Sequence, residues 1–263
     1  MSNAHGSFIW YELITKDPAA ARAFYGAVVG WTIDAAPPPG GMDYRMIAAP
    51  DGNAGGMLAL TDEMIRGGAF PVWLGYFGVD DVDATVAAIA ADGGTVQMAP
   101  FDAPGVGRLA MVADPQGIPF YVMRGASPER STAYGRHLPG HVSWNELQAP
   151  DDAAALAFYN KHFNLTRVGS MPMGEMGDYS FIANGDSAGE AVGAIMRRPA
   201  GTPVEMKSLW TFYFRVPDIQ AARAKVEAGG GTITFGPEEV PGGEMVLSAL
   251  DPEGVAFGLV APK

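Results

Sequence analysis

The stretch from Trp10 to Tyr25 recurs from Trp144 to Tyr159 with ten of sixteen positions identical. Trp73, Tyr76, Phe77 and Val79 recur as Trp210, Tyr213, Phe214 and Val216, and Asp-Pro-Gln-Gly at 114–117 recurs as Asp-Pro-Glu-Gly at 251–254. A repeat spanning about half the chain means that two copies of one fold must be built, so it is settled before any local element. The stretch 125–140, rich in Gly, Pro and Ser and without periodicity, marks the join.

Each copy divides again. Residues 8–15 alternate and are rich in aromatic and β-branched side chains, the pattern of a strand. Asp17-Pro18 then opens a helix, with Asp as N-cap and Pro in the first turn; Ala20, Phe24 and Val28 share one face and Gly30 closes it. Three short strands are expected at 31–35, 44–48 and 56–60. The order restarts at Val72, with a helix from Asp80-Asp81 and strands at 95–98, 109–113 and 120–123. The second copy repeats this with helices from Asp151 and Asp218. The reading is α+β, four βαβββ modules in two tandem domains. Domain 1 is 1–126 (modules about 5–66 and 70–124), the linker 127–138, and domain 2 is 139–263 (modules about 139–199 and 207–260).

Composition narrows the function. With 48% apolar and 17% charged residues the chain buries a sizeable core, and a net charge of −12 without any basic run disfavours nucleic acid and anionic membrane surfaces. No apolar run reaches the roughly 20 residues a bilayer requires. The residues 1–8 show no basic and apolar leader pattern, and a cytoplasmic protein, monomer or homodimer, is expected. With no cysteine, thiolate ligands, disulfides and a cysteine nucleophile are excluded.

Paired βαβββ modules, Ala-Phe-Tyr near the end of the first helix, Val-x-Asp before the second and Asp-Pro-x-Gly before the last strand resemble the vicinal oxygen chelate superfamily. It includes glyoxalase I, bleomycin-resistance proteins and extradiol dioxygenases. The resemblance implies half-barrel sheets whose concave faces hold a divalent metal through His, Gln and Glu. The positions it implies for ligands hold Trp10 and Trp144, Leu74 and Thr211, and Tyr121 and Gly258. Indole offers only an N–H donor, and none of the six is a usual ligand for a divalent ion. No metal and no other cofactor is therefore expected.

Strand parity puts Glu12 on the face of Trp10, and Glu146 on that of Trp144. Each Glu could transfer protons in an apolar concavity, or fix the sheet through a fixed partner. Trp10, Tyr76, Tyr121, Trp144 and Tyr213 would give aromatic walls suited to a flat or apolar small molecule; ordinary core packing is the alternative. Arg215 shares parity with Tyr213 and is expected to meet Glu146 or a substrate carboxylate. His141 falls on the opposite parity, His5 and His137 in loops, and His162 late in a helix. The Met-rich stretch 171–179 is a candidate lid. Three functions remain: a metal-free small-molecule binder, a glyoxalase-like enzyme with Glu12 or Glu146 as acid/base, and a metal-dependent lyase or dioxygenase with relocated ligands.

Overall fold

The computed structural model describes residues 3–185, 189–202 and 207–263. Residues 186–188, within the third module as read from sequence, lie outside the described residues. The first module comprises β1 (Phe8–Thr15), α1 (Pro18–Val28), β2 (Thr32–Ile33), β3 (Tyr44–Ala49) and β4 (Gly52–Ala59), followed by a short helix α2 (Asp62–Arg66). The second comprises β5 (Val72–Gly78), α3 (Val82–Ala91), β6 (Thr95–Ala103), β7 (Gly107–Ala113) and β8 (Pro119–Gly125). In the third are β9 (Val142–Ala149), α4 (Asp152–Phe163), β10 (Thr166–Pro172), a 3-10 turn (Gly174–Met176), β11 (Asp178–Ala183) and β12 (Gly193–Arg197). The fourth holds β13 (Trp210–Arg215), α5 (Ile219–Ala228), β14 (Thr232–Val240), β15 (Glu244–Leu250) and β16 (Ala256–Pro262).

These strands form two eight-stranded mixed sheets with the same order, β2-β3-β4-β1-β5-β8-β7-β6 and β10-β11-β12-β9-β13-β16-β15-β14. The four main helices start where the sequence places them. Asp17, Asp81, Asp151 and Asp218 each accept backbone N–H groups in the first turn, satisfying donors that have no partner inside the helix. Helix α2 was not foreseen; Thr61 caps it, with Asp62 and Glu63 in its first turn and Arg66 in its last. Strand β2 shrinks to two residues, whereas β4 begins at Gly52 rather than Gly56.

The chain packs as two compact units, each taking one module from each half. The middle-module unit is Met1–Ile9, Gly75–Ser131 and Trp144–Trp210; the end-module unit is Trp10–Leu74, Thr132–Ser143 and Thr211–Lys263. In the end-module unit α1 packs with α5, and in the middle-module unit α3 packs with α4. The strands bury one parity beneath these helices. Tyr11, Leu13, Phe212 and Phe214 are all but inaccessible, as are Phe77, Phe120 and Val122.

One polar device sits at the centre of each core. In the end-module unit Trp73 Nε1 donates to Tyr25 Oη at 2.9 Å, and Tyr25 donates to Asp251 Oδ2 at 3.0 Å. Asp251 Oδ1 also holds its own turn through the backbone N–H of Glu253 and Val255, both at 2.9 Å. In the middle-module unit Trp210 Nε1 donates to Tyr159 Oη at 3.1 Å, and Asp114 Oδ1 accepts from the N–H of Gln116 and Ile118. Tyr159 faces the Asp114 carboxylate more loosely than Tyr25 faces Asp251. Burial holds both carboxyls above the ordinary range against the downward pull of their backbone N–H bonds, and pushes both tyrosines up.

The third residue of each Asp-Pro-x-Gly turn pins a strand-to-helix turn from the other half of the sequence. Gln116 accepts from Asp151 N at 2.7 Å and donates to Asp151 O at 2.9 Å. Glu253 accepts from Lys16 N at 3.1 Å and from the Thr15 hydroxyl. The repeated Ala-Phe-Tyr and Asp-Pro-x-Gly motifs are thus two ends of one joint, made twice.

Candidate functional site

The opposite strand parity carries Trp10, Glu12, Tyr76, Tyr121, Trp144, Glu146, Tyr213 and Arg215. Of these, Glu12, Tyr76, Tyr121 and Tyr213 are buried, and Trp10, Trp144, Glu146 and Arg215 are half-buried. On the third module, Trp144 Nε1 donates to Tyr179 Oη at 2.8 Å, and Tyr179 donates to Glu146 Oε2 at 2.8 Å. Gln148 Nε2 reaches Glu146 Oε1 at 3.2 Å. Phe181 stands edge-on to both rings, its centroid 6.1 Å from Trp144 and 5.6 Å from Tyr179. Register explains the grouping: Phe181 pairs with Ala194, and Ala194 with Glu146, so β11, β12 and β9 present these side chains on one face. Trp144, Glu146, Tyr179 and Phe181 are all half-buried.

The first module repeats the core of this arrangement. Trp10 Nε1 donates to Tyr44 Oη at 2.7 Å. Glu12 stands opposite Gly56 in the β1–β4 register and is 3% exposed, unlike the half-buried Glu146. Tyr44 and Tyr179 were missed from sequence. The available signal was an Asp-Tyr pair, Asp43-Tyr44 and Asp178-Tyr179, at matching places in the two copies.

The second and fourth modules differ more. Tyr76 and Tyr121 pair in register on β5 and β8, with rings stacked 4.3 Å apart at 16°. In the fourth module Gly258 replaces the second tyrosine, and Tyr213 lies over it, since a Cβ there would come within 2.1 Å of Tyr213 Cδ1. Tyr213 Oη also bonds Ser248 Oγ at 3.1 Å. Arg215, expected to meet Glu146 or an anion, donates to Glu244 Oε1 at 2.5 Å and to the Arg136 carbonyl at 3.3 Å. Its charge has a partner from β15, which lies beyond β16 in the sheet.

The methionine stretch forms the end of β10, the 3-10 turn and the start of β11. Met171 stands opposite Tyr179, which brings the hairpin beside the Trp144 face. His141 is fully buried, with Nε2 2.7 Å from Asp51 Oδ1. His162 meets Asp92 at 2.9 Å, and His5 meets the His162 carbonyl at 2.9 Å.

The residues do not fit the superfamily's metal. The indole N–H groups of Trp10 and Trp144 point at tyrosine oxygens, Tyr121 is stacked on Tyr76, and Gly258 has no side chain. Among the described residues no three His, Asp or Glu side chains are placed to hold a metal ion. Nor is any helix among them long and apolar enough to cross a membrane.

The model of the Glyoxalase/Bleomycin resistance protein/Dioxygenase superfamily matches residues 7–122 and again 139–259. Over 254 residues, covering 96% of this chain and 94% of the relative, the chain is 33% identical to the Mycobacterium tuberculosis protein named "Putative glyoxylase CFP32". It is 29% identical over 270 residues, 98% of this chain and 94% of the relative, to the anthracycline biosynthesis protein DauV of Streptomyces sp. strain C5. Its fold is similar to the Mn(II)-bound glyoxalase of Novosphingobium aromaticivorans, with TM-score 0.64, 17% identity and coverage of 98% of this chain and 82% of that one. It is also similar to the 2,2',3-trihydroxybiphenyl 1,2-dioxygenase of Sphingomonas wittichii, with TM-score 0.66, 12% identity and coverage of 98% and 91%. Repeat, sheet order and family match agree: the chain belongs to the Glyoxalase/Bleomycin resistance protein/Dioxygenase superfamily.

Proposed function

We propose that the chain binds a small, flat, partly apolar molecule on its aromatic sheet faces, without the metal usual in the superfamily. The observation that carries this is the Trp144–Tyr179–Phe181 group around Glu146: three half-buried rings beside a carboxylate whose two oxygens are oriented by Tyr179 and Gln148. Aromatic faces of this kind take flat molecules by stacking, and a few fixed polar groups set orientation. The Met171 hairpin beside it supplies adaptable apolar cover. A relative named for anthracycline biosynthesis suggests a hydroxyanthraquinone as a first probe.

Titration with alizarin, followed by tryptophan fluorescence, tests the reading. Trp144→Ala is expected to weaken binding about tenfold or more, the order of loss when a buried aromatic anchor is removed. Unchanged affinity in both Trp144→Ala and Glu146→Gln would sink it.

The hydrogen bond from Tyr179 to Glu146 favours a second reading, an enzyme. Glu146 would take a proton from the carbon next to a carbonyl and return it to the carbonyl carbon. Tyr179 would turn its one hydroxyl proton from Glu146 to the carbonyl oxygen and regain a proton from the neighbouring substrate hydroxyl. The corresponding carboxylate of the first copy is Glu12, which is 3% exposed. Glu146→Gln retaining the probe while losing conversion of the methylglyoxal–glutathione adduct would support this; full conversion by Glu146→Gln would exclude Glu146 as the base.

A further inference from the structure

Gly56 and Ala194 occupy equivalent places: Gly56 stands opposite Glu12 across β1 and β4, and Ala194 opposite Glu146 across β9 and β12. A Cβ at 56 would lie 2.0 Å from Tyr44 Oη, 2.3 Å from Cζ and 2.6 Å from Cε1. The Tyr44 ring therefore rests on the glycine, in volume that any side chain would fill. The bond from Trp10 keeps it there, beside a Glu12 that is 3% exposed. Alanine at 194 denies Tyr179 that position. Tyr179 keeps its bond from tryptophan, its hydroxyl reaches Glu146 Oε2 at 2.8 Å, and Glu146 is half-buried where Glu12 is buried.

We propose that the residue at 56 and 194 decides which copy of the face is usable. Gly56 lets Tyr44 act as a plug over Glu12, whereas Ala194 holds Tyr179 raised and leaves Glu146 within reach of a ligand. The chain then takes one ligand, on the second copy: a flat molecule presenting a hydroxyl donor toward Glu146. For the ligand this rests on the function proposed above; for the plug it does not.

The plug is tested without a ligand. Carboxylates are labelled with a water-soluble carbodiimide and taurine, and Glu12 and Glu146 are followed by peptide mass spectrometry in the full chain. Glu146 is expected to react about tenfold faster than Glu12, because Glu12 must wait for a local opening. Gly56→Ala should bring the Glu12 rate up toward that of Glu146, and Ala194→Gly should slow Glu146. Should Gly56→Ala fail to fold, Tyr44→Ala asks the same question, since Tyr44 is half-buried and its loss leaves the core beneath the helices intact. Equal rates in the wild type, or a Glu12 still unreactive in folded Tyr44→Ala, would overturn the proposal. Alizarin stoichiometry is the second arm: one per chain is expected in the wild type, and two per chain contradicts the plug. If alizarin does not bind at all, the ligand reading falls, and the labelling rates alone decide the plug.

Discussion

In the end-module unit Trp73 reaches Asp251 through Tyr25, and in the middle-module unit Trp210 and Tyr159 stand against Asp114 in the same order. On the other parity of the same strands Trp10, Glu12, Tyr44 and Tyr76 recur as Trp144, Glu146, Tyr179 and Tyr213, but other positions change. Tyr121 becomes Gly258, Gly56 becomes Ala194, and Gly78 becomes Arg215. The buried groups must satisfy a tryptophan N–H, a tyrosine hydroxyl and a carboxylate together inside a dry core, where changing one member strands the others. On the sheet faces the tryptophan-to-tyrosine bond likewise recurs in both copies, and the positions that differ lie outside it. The Trp–Tyr–Asp joints recur whole, the faces only in part.

The largest effects should come from breaking the joints. Trp73→Ala and Trp210→Ala are each expected to cost about 3–5 kcal/mol in urea unfolding, the range for deleting a buried aromatic side chain. If the joints are equivalent, the two losses agree within about 1 kcal/mol, the context-dependent scatter of such contributions. A loss in only one copy would break the comparison.

Tyr25→Phe sharpens it. Removing that hydroxyl strands both the Trp73 N–H and one Asp251 oxygen, at about 1–3 kcal/mol. Tyr159→Phe should cost less, because Tyr159 holds Asp114 more loosely.

The pH dependence has a definite sign. Both carboxyls have folded-state pKa values raised above their unfolded ones, by burial first. The unfolded chain therefore releases these protons first as pH rises, and the stability they contribute at acid pH is lost from the ordinary carboxylate range up through the raised values. Asp251→Asn keeps the two backbone N–H bonds through its amide oxygen but cannot titrate. Its stability should gain on the wild type as pH rises above the ordinary aspartate range, about pH 4. A parallel course for the two proteins would contradict the raised value.

Much of the fold was legible. The repeat fixed the module count, and Asp17, Asp151 and Asp218 announced their helices because capping is local chemistry. The joints were not legible. Tyr25 and Asp251 lie 226 residues apart, and no local pattern says which copy of a repeated motif meets which. Arg215 failed for a related reason: strand parity gives its face, but Glu244 arrives from another strand. For the candidate site, parity correctly grouped Trp10 with Glu12 and Trp144 with Glu146. It could not supply Tyr44 and Tyr179, which enter from strands whose register is set by the whole sheet.

Changes on the sheet faces should be milder. Tyr121→Leu removes the stack with Tyr76 at about 0.5–1.5 kcal/mol. Tyr213→Phe loses a part-buried hydroxyl bond to Ser248, at about 1 kcal/mol. Losses as large as those at Trp73 would place the faces among the joints.

The central functional claim is that the Trp144 face binds without a metal. Alizarin titrated into the purified protein, before and after exhaustive chelation and again with added Mn(II), tests it most directly. One affinity under all three conditions, weakened by Trp144→Ala, is the predicted result; binding that disappears on chelation and returns with Mn(II) would contradict it.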